Sequence, residues 1–201
     1  FFLIITVLRL AYSVSIPLTA DEAYHWVWSR HLAFGYYDHP PLVAWLIAIF
    51  TRLGGDSLFW TRLTAGVCLA GTTYLTFLLG REIGGERIGA GAGFLSLAAT
   101  ATTLGSVAVS TDSPLILFWM WTAYLVWRAV KTGRGPYWYL AGVTLGFGLQ
   151  SKFLIVPLVA AVFLFLLLSR DDRYWLRRKE PYLALAIALL IFTPLDRKSV
   201  V

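Results

Sequence analysis

Read from its first residue, the chain alternates apolar runs of helical length with short polar breaks. A bilayer-spanning helix needs about 20 mainly apolar residues, within a range of about 17 to 25. Residues 1–18 predict a first span that lacks its beginning, and 58–79 a second. Residues 88–109 predict a third, whose Gly and Ala positions allow close helix packing. Residues 114–130 predict a fourth span, 136–150 a short fifth, 153–169 a sixth and 181–195 most of a seventh. The run 40–55, "PPLVAWLIAIFTRLGG", has the length of an interfacial or re-entrant helix rather than a span. Just upstream, "AYHWVWSRHLAF" reads as an amphipathic helix lying at the membrane interface, with its Trp and Tyr at headgroup depth. The pattern predicts an all-α, polytopic membrane protein with about seven transmembrane helices and two juxtamembrane helices in its first outer loop.

Composition supports lipid as the solvent. Of 201 residues, 58% are hydrophobic and 14% charged, whereas soluble domains run near half apolar and a quarter charged. The net charge of +6 does not point to nucleic acid, because the basic residues cluster in short loops between apolar runs, as the positive-inside bias requires. With 40–55 held on one side, Arg81, Arg87, Lys131, Arg134, Arg170, Arg173, Arg177, Arg178 and Lys179 share one face of the membrane. The opposite face receives Arg30, Arg52 and Lys152, with Arg62 near a helix end. If 40–55 crossed instead, the loop "RDDRYWLRRK" would change sides and the bias would largely cancel. Cys68 is the single cysteine, which excludes an internal disulfide framework and a thiolate metal site. No removable signal peptide is visible. Both ends look cut, so the expectation is an N-terminal part of a longer membrane protein: 1–195 within its transmembrane domain and 196–201, "DRKSVV", a tail outside the pattern, read as foreign sequence.

The topology gathers the acids and histidines on the outer face. Asp21, Glu22, His25, Asp38, His39, Asp112 and Lys152 all fall there, from three separate loops. Each also has an ordinary explanation. Asp21 and Glu22 follow "PLTA", where Thr19 can cap a helix, Glu22 can complete a capping box and early acids suit the helix dipole. In "GYYDHPP", Gly35 permits a turn and Pro40-Pro41 forces an extended entry to the next helix. Asp38 and His39 can be a solvated turn, or a histidine beside an acid placed for phosphate contact or proton transfer. In "SVAVSTDSPLILFWM", Ser110 and Thr111 suit helix capping before Pro114, while Asp112 is the one acid of a very short loop. Lys152, in "GFGLQSKFLIV", is a charge at membrane depth and so a functional hypothesis, with snorkelling to the headgroups as the alternative. Arg9, inside the first run, raises the same question and receives no assignment. The glycines form no P-loop or dinucleotide fingerprint, no His/Cys spacing suggests zinc, and "TRLGGDS" and "REIGGER" read as turns.

Four motifs in order, "DEAYHW", "GYYDHPPL", "TDSPL" and "GLQSK", together resemble the GT-C glycosyltransferases of the protein O-mannosyltransferase and aminoarabinose lipid A transferase superfamily, with the bacterial RgtA/B/C/D-like members as the nearest group. The resemblance implies a multi-span inverting transferase of the cell (inner or plasma) membrane. It would move a sugar from a polyprenyl phosphate donor to an extracytoplasmic glycolipid, glycan or protein. It also implies roles. Asp21 matches the first acid of the family's catalytic pair, with Glu22 beside it, and Asp112 maps onto a second outer-loop acid. His39 stands where the aminoarabinose transferases often have Lys, at the donor phosphate, which makes that charge dependent on pH. Lys152 and Tyr37 are further candidates for the phosphate, and Tyr36, Asp38 and His25 for the substrate loop. A carboxylate base and a cationic cradle for the leaving phosphate suit the implied chemistry. No cofactor is required; a divalent ion at Asp21 and Asp112 is a candidate that nothing in the spacing demands. The alternative class is a transporter or channel, which predicts charges near the midplane on broken spans together with repeat symmetry.

Overall fold

The computed structural model describes residues 2–99 and 108–193. Among these residues the chain forms nine α-helices: α1 (Phe2–Ser13), α2 (Ala20–Arg30), α3 (Leu42–Gly54), α4 (Leu58–Gly84), α5 (Glu86–Ala98), α6 (Asp112–Thr132), α7 (Pro136–Leu149), α8 (Val156–Leu168) and α9 (Glu180–Phe192). Short 3-10 turns at Phe153–Ile155 and Arg173–Arg177 precede α8 and α9. The all-α expectation holds for these residues. The last part of the predicted third span and the tail 196–201 lie outside them.

α4 is the one described helix both long and apolar enough to cross a bilayer unaided. At 27 residues it extends about 40 Å, more than the hydrocarbon core of about 30 Å. The remaining apolar runs form shorter helices such as Leu42–Gly54 and Glu180–Phe192. α1 stops at Ser13, short of the predicted residue 18, for a local reason. Pro17 lacks a donor and disfavours a helical residue before it, and the Arg62 guanidinium of α4 takes the carbonyls of Ser13, Ile16 and Pro17.

α4 is the hub, packing against α1, α3, α5 and α6; α6 leans on α7, α7 on α9, and α2 on α3. The α4–α5 contact is close because it is built from glycines: a Cβ on Gly89 would stand 2.7 Å from the Phe77 carbonyl. The predicted turns are observed at Gly55 (φ 98°) and Gly85 (φ 85°), in the left-handed region that favours glycine. Two polar knots mark opposite ends of the bundle. At one, Arg128 of α6 bonds Glu82 of α4 at 2.8 Å and Lys131 donates to the Glu82 carbonyl. At the other, the starts of α2, α4 and α6 meet the junction between α7 and α8.

Candidate active site

The site is assembled from four segments, and Glu22 is its anchor. The capping box is formed as the sequence predicts: Thr19 Oγ1 accepts from the Glu22 amide at 3.3 Å, and the Glu22 carboxylate accepts from the Thr19 amide at 3.0 Å. The same carboxylate receives Arg62 Nε at 2.8 Å, Arg62 Nη2 at 2.6 Å and the Val109 amide at 3.0 Å. Glu22 is 0% and Arg62 1% exposed. One ion pair thus fixes the start of α2 to α4, to the end of α1 and to the segment leading into α6. Burial works to raise the Glu22 pKa, but Arg62 and the Thr19 and Val109 amides outweigh it and hold the carboxyl below its usual range. Glu22, grouped from sequence with the catalytic acids, is held here as an anchor, its buried carboxylate already accepting from Arg62 and from the Thr19 and Val109 amides.

Asp21, its neighbour, is exposed. No hydrogen bond to it occurs among the described residues, which leaves its carboxylate available. One turn further, His25 is buried, and among the described residues neither ring nitrogen has a partner in strict hydrogen-bonding geometry. Burial and the nearby charge of His39 lower its pKa from the ordinary 6.5, against weaker opposing effects from Asp21, Glu22 and the Val109 backbone. The ring is neutral at physiological pH.

The loop after α2 is held by aromatic contacts. Trp28 stacks on Tyr36 with ring centroids 4.3 Å apart and planes 2° from parallel. The Tyr36 hydroxyl lies 2.9 Å from the Trp28 and His31 carbonyls, closing the end of α2. This stops the helix at Arg30, short of the predicted amphipathic run to Phe34. Tyr24 donates to Asp38 at 3.3 Å, while Trp26 and Arg30 both bond Asp56 before α4. His39 is half-buried 6.4 Å from Trp28. Tyr37 is 92% exposed.

The third element is the α7–α8 junction. Gln150 accepts through its carbonyl from the Leu42 amide at 3.0 Å, a donor orphaned at the first turn of α3. Ser151 donates to the Thr111 carbonyl at 2.6 Å, and Lys152 Nζ bonds Asp112 Oδ1 at 2.7 Å. Thr111 is the N-cap of α6 but makes no side-chain cap bond; just before it, the Ser110 hydroxyl accepts from the Asp112 amide at 3.3 Å in a tight turn. Asp112 and Lys152, given separate roles from sequence, are thus a pair, half-open to solvent at 51% and 31% side-chain exposure.

The structure brings Asp21, Glu22, His25 and His39 into one electrostatic group and joins Asp112 to Lys152. Among the described residues Tyr37 makes no hydrogen bond to either group, and it is 92% exposed. With Asp112 held by an ammonium group, the arrangement does not fit a divalent ion shared with Asp21, and among the described residues no three His, Cys, Asp or Glu side chains form a metal-binding group. Arg62 was missed as a site residue. Its signal was present, an arginine beside the first turn of a span, but its partner lies 40 residues away. Arg9 has a partner as well, donating to the Leu97 carbonyl at 2.8 Å.

Comparison with known proteins gives this geometry its class. The family model for dolichyl-phosphate-mannose-protein mannosyltransferases matches residues 38–195. The chain belongs to that family, and with it to the GT-C glycosyltransferases. It is similar to the lipid A galacturonosyltransferase RgtD of Rhizobium johnstonii, with 32% identity over 178 residues, 87% of this chain and 37% of the relative. It is also similar to an undecaprenyl phosphate-alpha-4-amino-4-deoxy-L-arabinose arabinosyl transferase of Pseudomonas savastanoi pv. phaseolicola, 27% identical over 85% of this chain and 33% of the relative. A Pseudomonas fluorescens protein of the same description, transferase 1, is 28% identical over 69% and 26% respectively. The chain thus spans between 26% and 37% of the length of these three relatives. No solved structure matches.

Proposed function

We propose that the protein containing this chain is an inverting membrane glycosyltransferase that takes a sugar from a polyprenyl phosphate and passes it to a glycolipid acceptor outside the cytoplasm. The observation that carries the reading is the convergence, at one end of the bundle, of an exposed acid (Asp21), a half-buried histidine (His39) and the Asp112–Lys152 pair at 2.7 Å. The names of the relatives supply the substrate classes, lipid A and undecaprenyl phosphate sugars.

In this reading the acceptor hydroxyl approaches Asp21, which withdraws its proton as oxygen attacks the anomeric carbon from the face opposite the phosphate. Negative charge grows on the departing phosphate, and preorganised cations stabilise it there. His39 and Lys152 are the donors at hand, and the phosphate competes with Asp112 for the Lys152 ammonium. Asp112 keeps that ammonium in place until the donor arrives.

A lipid-linked donor also needs a dry path for its tail. A groove of about 440 Å³ runs between α3, α6 and α7, lined by Leu42, Trp45, Ile49, Phe118, Trp121 and Phe147 among others. Its upper end, at Leu42, adjoins the Gln150–Lys152 junction. We place the first isoprene units of the donor there. The chain would cross the membrane seven times, with α2 and α3 on the outer surface and the basic loops inside. The test is transfer by the full-length protein in liposomes, supplied with undecaprenyl phosphate carrying 4-amino-4-deoxy-L-arabinose or galacturonate and with lipid A. Transfer of neither sugar would remove the substrate assignment.

A further inference from the structure

His25 is the buried polar side chain that the reading above leaves unused. It stands four residues after Asp21 on α2, the spacing that puts two side chains on one helix face. It is 6% exposed, and among the described residues neither ring nitrogen meets a partner in strict hydrogen-bonding geometry, although the Val109 backbone lies close enough to favour the protonated ring. A neutral imidazole carries one donor and one acceptor, and burying both unpaired is costly. Packing does not explain the choice of residue. The edge-on contact with Trp28, at 5.1 Å between centroids, could be made by Phe without that cost.

The charged groups facing the ring are few. Asp21 and Glu22 come from its own helix, His39 from the turn before α3, and Val109 contributes backbone from the segment before α6. Arg62 of α4 lies behind Glu22 and is consumed by it. Asp21 is the remaining carboxylate, and it is unbonded. His25 is thus a neutral base in a dry place, beside the one acid free to react.

We propose that His25, one turn along the same helix, is the proton partner of Asp21: it takes up the proton that Asp21 withdraws from the acceptor. The inference rests on the reading of Asp21 as the base. In the step, the acceptor oxygen bonds to the anomeric carbon, and the bond from that carbon to the phosphate oxygen breaks with its electron pair to the polyprenyl phosphate. The acceptor proton passes to the Asp21 carboxylate and on to a ring nitrogen of His25. The imidazolium then returns its proton to water through the exposed Asp21. His25 acts through Asp21 and is a positioning residue, not a group in contact with substrate.

The experiment uses the full-length protein in liposomes, with lipid A and whichever of the two undecaprenyl phosphate sugars it transfers. His25→Phe preserves volume and removes both polar atoms; it should melt at the same temperature or higher while kcat falls at least about tenfold and the donor KM stays within about twofold. His25→Gln offers an N–H but cannot accept the proton, so its kcat should remain as low as that of the Phe variant. In the wild type kcat should fall as pH drops through the His25 pKa, below 6.5, and this limb should disappear in both variants. The Asp21→Asn/His25→Phe double variant should be no slower than Asp21→Asn alone, since a pair acting as a unit is not additive. A folded His25→Phe or His25→Gln protein with wild-type kcat, or losses that multiply in the double variant, would overturn the inference. Normal turnover by Asp21→Asn would instead overturn the reading of Asp21 on which it stands.

Discussion

Arg62 and Glu22, 40 residues apart in sequence, form a bidentate pair with contacts of 2.8 and 2.6 Å and almost no exposure on either side. The pair ties the helix bearing Asp21 to α4 and, through the Val109 amide, to the loop bearing Asp112. Removing one partner strands a buried charge, whose cost is about 3–5 kcal/mol. Arg62→Ala should therefore lower the melting temperature of the detergent-solubilised protein sharply. Arg62→Met with Glu22→Leu, which removes both charges, should recover most of the loss. A melting temperature unchanged in Arg62→Ala would contradict the anchoring role.

The pair also sets a pH dependence. The folded-state pKa of Glu22 lies below its ordinary value of 4.5, so the stabilisation is complete above that value and is lost as pH falls from it through the folded pKa. Thermal melts from neutral to about pH 3 should show the wild type losing more stability than the Arg62→Met/Glu22→Leu variant. Parallel losses in the two proteins would place the acid sensitivity elsewhere.

Sidedness is testable with single cysteines in a background lacking the buried Cys68. Tyr37→Cys, at a position 92% exposed, should label with an impermeant maleimide from outside the cell. Arg134→Cys, in the exposed turn after α6, should label only after the membrane is permeabilised. The reverse pattern would put the acids and histidines on the cytoplasmic face and remove the site with the topology.

The groove beneath Leu42 gives a separation of binding from chemistry. Trp121→Ala and Ile49→Ala shorten its walls without touching the charged groups, so they should raise the donor KM several-fold at nearly constant kcat, the pattern of lost uniform binding. Short-chain prenyl donors should be insensitive to the same changes. Equal effects on both donors would move the tail out of this groove.

Much of this architecture was legible because its signals are local. The capping box at Thr19 and Glu22, the glycine turns at Gly55 and Gly85 and the helix start at Asp112–Pro114 depend on residues within a turn of one another. The joining of Asp112 to Lys152 was legible only as a shared side of the membrane; their contact depends on how α6 and α7 pack. Three features needed the fold to be read. Arg62 looks like any basic residue at a helix end until the end of α1 and the start of α2 close over it. His25 is legible as a histidine of the outer loop, but its burial is visible only in three dimensions. The Gln150 backbone carbonyl gives no signal in sequence, yet it accepts from the first donor of α3. The acid pair is legible as a pair; only burial separates Glu22, bonded to Arg62, from the exposed Asp21.

His39 offers a check on the phosphate cradle. His39→Lys keeps a hydrogen-bond donor beside the phosphate, so it should retain much of the transfer activity, whereas His39→Ala should weaken use of the donor. Alanine and lysine variants equally inactive would exclude a phosphate contact at this position.

The central claim is that Asp21, not Glu22, is the base. Asparagine cannot accept a proton at neutral pH, and Asp21 is exposed and bears no structural bond among the described residues, so the substitution should leave folding intact. The decisive measurement is kcat of Asp21→Asn in the full-length protein, beside its melting temperature. A loss of about a hundredfold to ten-thousandfold, as for removal of a general base, at an unchanged melting temperature is the predicted result. A well-folded Asp21→Asn protein that transfers sugar at the wild-type rate would contradict it.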